Sequence, residues 1–254
     1  MNTAEYLNKW AISYKDDIIN NIMPFWMKYG LDKEHGGGYT CVNRDGSLMD
    51  TTKSVWFQGR FGFIAAYAYN NIEKNPQWLA ASKSCIDFIE AHCFDTDGHM
   101  FFEVTEDGVP LRKRRYVFSE GFAAIAMAEY SLATGEKEYA EKALEIFKRT
   151  QHFLDTPGML EPKYLPAMSS RGHSITMILI NTASRIRMVI DDPVLTEQID
   201  ASIAALRKYF IHPEFKALLE MVGPNGEFID TCNGRVINPG HCIAVSYTHL
   251  RAHE

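Results

Sequence analysis

The sequence predicts an all-α protein built as a toroid of helical hairpins, an α/α barrel. Three observations lead there. Long helical patterns fill most of the 254 residues. One helix recurs as an internal repeat: Phe61-Gly62-Phe63-Ile64-Ala65-Ala66-Tyr67-Ala68-Tyr69 aligns with Phe122-Ala123-Ala124-Ile125-Ala126-Met127-Ala128-Glu129-Tyr130, and weaker copies begin near His173 and His241. Each copy is dense in Gly, Ala and apolar residues, and at least three are followed by a more charged, amphipathic helix. A helix that is apolar nearly all round is buried, and an amphipathic partner covers it. A generic all-α bundle would also bury such helices; the repeat favours the toroid.

Helices are predicted at 4–28, 54–73, 77–92, 117–133, 137–153, 174–190 and 194–210. Their ends are marked by Gly30, Asn75-Pro76, Gly135, Thr156-Pro157-Gly158 and Asp191-Asp192-Pro193, residues that stop or start a helix. Between them lie short strand-like pieces, Gly38–Val42, Met100–Val104 and Glu227–Ile229. The turns Arg44-Asp45-Gly46 and Glu106-Asp107-Gly108 predict hairpins in the connecting loops.

Composition narrows the function classes. The chain is 46% hydrophobic and 23% charged, with a net charge of −6, an ordinary globular balance. Mild acidity argues against nucleic acid or an anionic membrane as partner. No stretch approaches the roughly 18 apolar residues of a spanning helix, and Met1–Glu5 opens no signal peptide. Five cysteines (41, 85, 93, 232 and 242) form no C-x-x-C pair. Reduced thiols and a cytoplasmic setting fit that pattern.

Polar residues collect where the buried helices begin. Trp56, Gln58 and Arg60 sit on the first. Ser119 and Glu120 sit on the second, after Arg112-Lys113-Arg114-Arg115. His173 opens the third and His241 the fourth. In a toroid these starts converge on one mouth, so distant residues become pocket candidates. Each also has a structural explanation. Arg60 and Glu120 could form a buried ion pair. Glu120 could cap its helix. His173 could bond only locally, and Trp56 could be wall or core. For His241 the preceding Pro239-Gly240 suggests a tight turn that places the ring deliberately. The other histidines show no metal-ligand grouping, no Gly-rich phosphate loop precedes a helix, and no G-x-S-x-G nucleophile is present.

Asn238-Pro239-Gly240-His241-Cys242-Ile243 promises an apolar helix. Instead Val245–Glu254 follows, a string that resembles the read-through translation of a sequencing-library transposase adapter. Residues 1–243 are therefore expected to be a partial barrel domain, and 244–254 a non-native tail. His249 and His253 have metal-ligand helical spacing, but they fall in that tail and are set aside.

The stretches Ser54-Val55-Trp56-Phe57-Gln58-Gly59-Arg60, Phe118-Ser119-Glu120-Gly121-Phe122-Ala123 and Asn238-Pro239-Gly240-His241 with Ile243 resemble the N-acylglucosamine 2-epimerase family, in order and separation. The resemblance implies an (α/α)6 barrel, here incomplete, that epimerises or isomerises at C2 of an aldose or N-acylhexosamine. Removing the C2 proton beside a carbonyl gives an enolate, and an imidazole suits that transfer near neutral pH. By the same resemblance, His241 is the general acid/base and Arg60 meets the reacting end. Trp56, Gln58, Glu120 and His173 are the substrate-binding candidates. The family's second catalytic histidine lies further along and is missing here, so this chain is expected to be inactive alone. No metal or redox cofactor is required. ATP is an effector of some relatives, but no stretch is assigned to it. The partner is a small sugar, with a homodimer held open. Where the family has an acidic residue, position 244 is Ala. Two other readings stand beside this one. The first is an (α/α)6 glycoside or unsaturated-uronyl hydrolase, for which Glu120 and Asp230 are the available carboxylates. The second is a non-catalytic sugar- or protein-binding relative.

Overall fold

In the computed structural model, residues 2–113, 116–160 and 169–252 are described, with backbone alone for 247–252. Four helices form an inner row: α3 (Val55–Asn71), α5 (Phe118–Thr134), α7 (Ser174–Arg187) and α9 (Pro239–Ala252). α3 packs on α5, α5 on α7 and α7 on α9. Three further helices cover them: α4 (Pro76–His92) on α3, α6 (Lys137–Asp155) on α5, and α8 (Pro193–Ala205) on α7. This is the predicted alternation of buried and covering helices.

The two kinds of helix differ as the residues require. In α5 every residue from Ser119 to Ser131 is buried. In α6 burial falls on one stripe, Tyr139, Ala140, Ala143, Ile146, Phe147, Thr150 and Phe153. Glycine brings the inner helices close. A methyl on Gly59 would lie 2.6 Å from the Phe122 carbonyl carbon, and one on Gly121 would lie 2.9 Å from Ile178. Helix boundaries follow the punctuation: Asn75 and Asp192 cap α4 and α8 with Pro at the first turn, and Gly135 ends α5 at φ 78°.

Four expectations need correction. The predicted helix 4–28 is α1 (Thr3–Asp17), a π-helical segment Ile18–Ile22 and α2 (Met23–Tyr29). Pro24 has no N–H to donate back one turn, and the wider π turn absorbs that loss. The predicted helix 194–210 likewise ends in a π segment from Leu206 to Phe210. Glu227–Ile229 is not a strand: Gly223 donates to the Glu227 carbonyl, and the Glu227 side chain accepts from Asn225, so a turn forms instead. Finally, the helix pattern does not stop after Ile243. α9 runs to Ala252, because that string holds no Gly or Pro to break it.

The strands are short and lie in the loops. β1 (Cys41–Val42) pairs with β2 (Leu48–Asp50), and β3 (Lys53–Ser54), β4 (Phe101–Val104) and β5 (Pro110–Lys113) form one antiparallel sheet. Both predicted hairpin turns are present. β6 (Arg171–Gly172) pairs with β9 (Met221–Val222), and β7 (Ile211–His212) with β8 (Ala217–Leu218).

A feature unread in the sequence anchors these loops. Lys53 is fully buried. Its Nζ donates to Asp32 Oδ2 at 2.7 Å, to the Gly36 carbonyl at 2.8 Å and to the Glu106 carbonyl at 2.6 Å. Burial pushes the Asp32 carboxyl up, but Lys53 and the backbone N–H groups of His35 and Glu34 outweigh it, leaving the pKa at about 2. Among the described residues no helix is long and apolar enough to cross a membrane.

Candidate active site

The inner helices run in parallel. At their starts, Trp56 of α3 lies against Phe118 and edge-on to Phe122 of α5, and the His173 ring meets the His241 ring at 5.7 Å. At their far ends, Asn70 of α3 donates to Glu129 of α5, with Arg185 of α7 at 3.7 Å. The starts of α3, α5, α7 and α9 therefore share one end of the barrel, as the repeat predicted.

That end carries two clusters. The first is Arg60 on aromatic rings, its Cζ 4.1 Å from the Phe122 centroid and 5.7 Å from that of Trp56. Arg60 stays exposed to solvent, and among the described residues no carboxylate pairs with it, so the suspected Arg60–Glu120 pair is absent. Desolvation by its surroundings holds its pKa below the ordinary arginine value, yet the group stays cationic at neutral pH.

The second cluster is His173, Glu220 and His241. Asn238 caps α9, its side chain accepting from the backbone N–H of Gly240 at 3.0 Å and of His241 at 3.3 Å. The placement of His241 thus comes from an Asn cap with Pro at the first turn, not from a Pro-Gly turn. Its Nδ1–H faces both oxygens of Glu220, at 2.9 and 3.0 Å. Glu220 is held by the pairing of β6 with β9: its carbonyl accepts from the His173 N–H at 3.3 Å. His173 is fully buried, 3.7 Å from the Glu220 carboxylate, with no hydrogen-bond partner on either ring nitrogen. Burial lowers its pKa, against the pull of Glu220.

Two candidates lie beneath the mouth rather than on it. Gln58 is fully buried, its amide closing a pair of bonds with the Gly38 backbone. Glu120 is 1% exposed and accepts from the Met100 N–H at 2.9 Å, beside His99 at 3.8 Å. Ser119 donates to the Phe101 carbonyl, tying α5 to β4. Arg114 and Arg115 of the basic run, and the side chains of His249 and His253, lie outside the described residues. Two surface clefts of ≈ 300 and ≈ 470 Å³ hold none of the predicted residues, being lined respectively around Trp78 and around His35 and His92.

Glu220 was missed. The available signal was an acid inside the apolar run Leu218-Leu219-Glu220-Met221-Val222. Among the described residues, His173, Glu220 and His241 also form the trio able to hold a metal, with one ligand atom from each within 4.8 Å of the others.

Residues 37–246 match the profile of N-acylglucosamine 2-epimerase (GlcNAc 2-epimerase). The chain belongs to the N-acylglucosamine 2-epimerase family. N-acylglucosamine 2-epimerase of Homo sapiens is 30% identical, over 97% of this chain and 59% of that protein. The chain thus spans less than two thirds of that family member. Cellobiose 2-epimerase of Bacillus thermoamylovorans B4167 superposes with a TM-score of 0.85 at 20% identity, over 96% of this chain and 66% of that one. An inactive variant of an α-1,6-mannanase of Salegentibacter sp. HEL1_6 superposes at 0.64 with 17% identity, over 97% and 71%. Identities that low carry the fold alone, and the fold is the (α/α)6 barrel, of which the described residues hold four inner helices.

Proposed function

We propose that the protein is a sugar epimerase or isomerase that moves a proton at C2 of an aldose or N-acylhexosamine. The observation that carries this reading is the His241 imidazole held through Nδ1 by both oxygens of Glu220. A carboxylate on Nδ1 fixes the tautomer and leaves Nε2 free to take a proton, the arrangement of a general base. Arg60 is the cation for the developing enolate oxygen, Trp56 is the apolar wall, and His173, fully buried, backs the His241–Glu220 pair as a neutral group. An N-acylhexosamine is favoured among substrates by the human relative's name and its extent of match. Proton transfer beside a carbonyl calls for no redox cofactor, and no segment is assigned to ATP. Five unpaired cysteines support a cytoplasmic setting. Enzyme turning over in D2O should place deuterium at C2 of its product. Product formed without C2 exchange would sink the reading.

The hydrolase reading is weaker here, because it needs two placed carboxylates. Glu120 is buried and bonded to Met100, and Asp230 is exposed and paired with Arg235. A non-catalytic relative would bind sugar without exchanging the C2 proton.

We further propose that the natural chain departs from this one after Ile243, continuing with an acidic residue and further helical hairpins. Its support is the adapter-like string and the 59% span of the human relative. Genomic DNA read across these codons should show that continuation. A locus encoding Val245–Glu254 followed by a stop would overturn it.

A further inference from the structure

We propose that His173, Glu220 and His241 form a binding site for a first-row divalent transition ion such as Zn2+, and that the ion inhibits the enzyme. The starting point is His173, buried with both ring nitrogens unsatisfied. Buried polar atoms are nearly always partnered, by protein, water or an ion, so these nitrogens are available as ligands. Three donors surround it: His173 Nδ1 is 3.7 Å from Glu220 Oε2, His241 Nδ1 is 2.9 Å from Glu220 Oε1, and one ligand atom from each residue lies within 4.8 Å of the others. Tetrahedral zinc with bonds of about 2.0–2.1 Å sets its ligand atoms about 3.4 Å apart. The observed separations straddle that value. His241 and Glu220 keep 40% and 19% of their side-chain surface and can rotate to close on the ion, while buried His173 gives a fixed side.

The donor set decides which ion. Two imidazoles and one carboxylate suit Zn2+, Co2+, Ni2+ or Cu2+. Mg2+ and Ca2+ prefer oxygen cages and several waters, so they should not compete. The shared carboxylate also supplies the negative charge that a dication needs in a partly buried site.

Inhibition follows from the tautomer, and this half rests on the proposed epimerase reading. As a base, His241 must carry its proton on Nδ1, donated to Glu220, with the Nε2 lone pair free. Coordination through Nδ1 displaces that proton, and a neutral coordinated imidazole carries its proton on Nε2 instead. The lone pair that would accept the C2 proton is then occupied. The metal also withdraws Glu220 from its role of supporting the imidazole.

The test separates binding from activity. The chain carrying His249→Ala and His253→Ala, which removes the tail's own histidine pair, is titrated with Zn2+ by calorimetry and with Co2+ by visible absorption. One equivalent should bind, with the Co2+ bands of a low-symmetry nitrogen and oxygen site. His173→Ala should weaken binding by at least about 10- to 100-fold, the loss already seen when a ligand's hydrogen-bond partner is removed. Glu220→Gln, the same shape without the charge, should do the same and guards against misfolding of the first variant. Cys242→Ala and His212→Ala should bind as the parent does. In the full-length natural protein, Zn2+ should stop C2 exchange and a chelator should restore it. Absent binding, or binding indifferent to His173→Ala and Glu220→Gln, overturns the site and leaves the epimerase reading standing. Binding at these residues with exchange still running overturns the inhibition and counts against His241 as the base.

Discussion

Replacing His241 with alanine is expected to lower turnover by about 10²-fold or more, the usual contribution of a positioned acid or base. The measurement belongs on the full-length natural protein, as C2 deuterium exchange and product formation together. Both should fall in parallel, since one nitrogen performs the step that each reports. Arg60→Ala is expected to cost a comparable about 10²–10³-fold, the size of a lost oxyanion donor. It should do so without lowering the melting temperature: Arg60 is exposed and, among the described residues, holds no ion pair whose loss would be structural. Cys242→Ala is the control one residue away. Its thiol points to the Leu218 carbonyl at 3.7 Å, and burial raises its pKa, so it packs rather than reacts. Glu120→Gln decides between enzyme classes, because the amide oxygen can still accept from Met100 while the acid is lost. Near-full exchange in His241→Ala would remove His241 as the base, whereas glycoside cleavage without C2 exchange, lost in Glu120→Gln, would establish the carboxylate-based hydrolase and end the epimerase mechanism.

What the sequence made legible follows from what repeats in it. Inner and covering helices differ in composition over whole turns, so α3 and α5 could be told from α4 and α6 by Gly and Ala density, whereas α7, with Ala183 alone, could not. Residues at the repeat starts could then be gathered onto one mouth, and Trp56, Arg60, His173 and His241 are found there. Interactions resting on one residue and a distant loop were not legible. Glu220 reaches His241 only through the pairing of Gly172 with Met221, and strands of two residues leave almost no periodic trace. Gln58 stands two residues from Trp56 and looks equally available. Its inward angle on α3 turns it to the Gly38 backbone, which no pattern on the helix announces. Lys53 reads as an ordinary charged residue before a helix, and its burial depends on three carbonyl and carboxyl oxygens brought from two loops.

That lysine supports the largest expected loss of stability. Asp32→Asn should destabilise the fold by about 3–5 kcal/mol, the cost of stranding one member of a buried pair. This is a large share of the about 5–15 kcal/mol that holds a domain together. The environment makes water a poor substitute: Lys53 Nζ lies 4.2 Å from the Phe88 ring centroid, and Asp32 is 4% exposed. Lys53→Met should cost a similar amount by leaving the Asp32 carboxylate alone. The double variant should recover part of either loss, because no charge is then left unpaired. Acid gives an independent reading of the same pair. Asp32 titrates at about 2 in the folded chain and near 3.9 when unfolded. Between those values the unfolded chain binds the extra proton, so stability falls as pH falls. The contribution, about 2–3 kcal/mol, is complete above pH ~4 and is lost as pH drops through about 2. In Asp32→Asn this acid limb should flatten. Urea midpoints measured at pH 7 and pH 3, with the slope m compared between variants, check both statements. A neutral Asp32→Asn, or an unchanged acid limb, would mean that Lys53 is carried by the Gly36 and Glu106 carbonyls alone. The loop 32–38 and the hairpin turn at Glu106 would then hold the start of α3, and with it Trp56 and Arg60, without the ion pair.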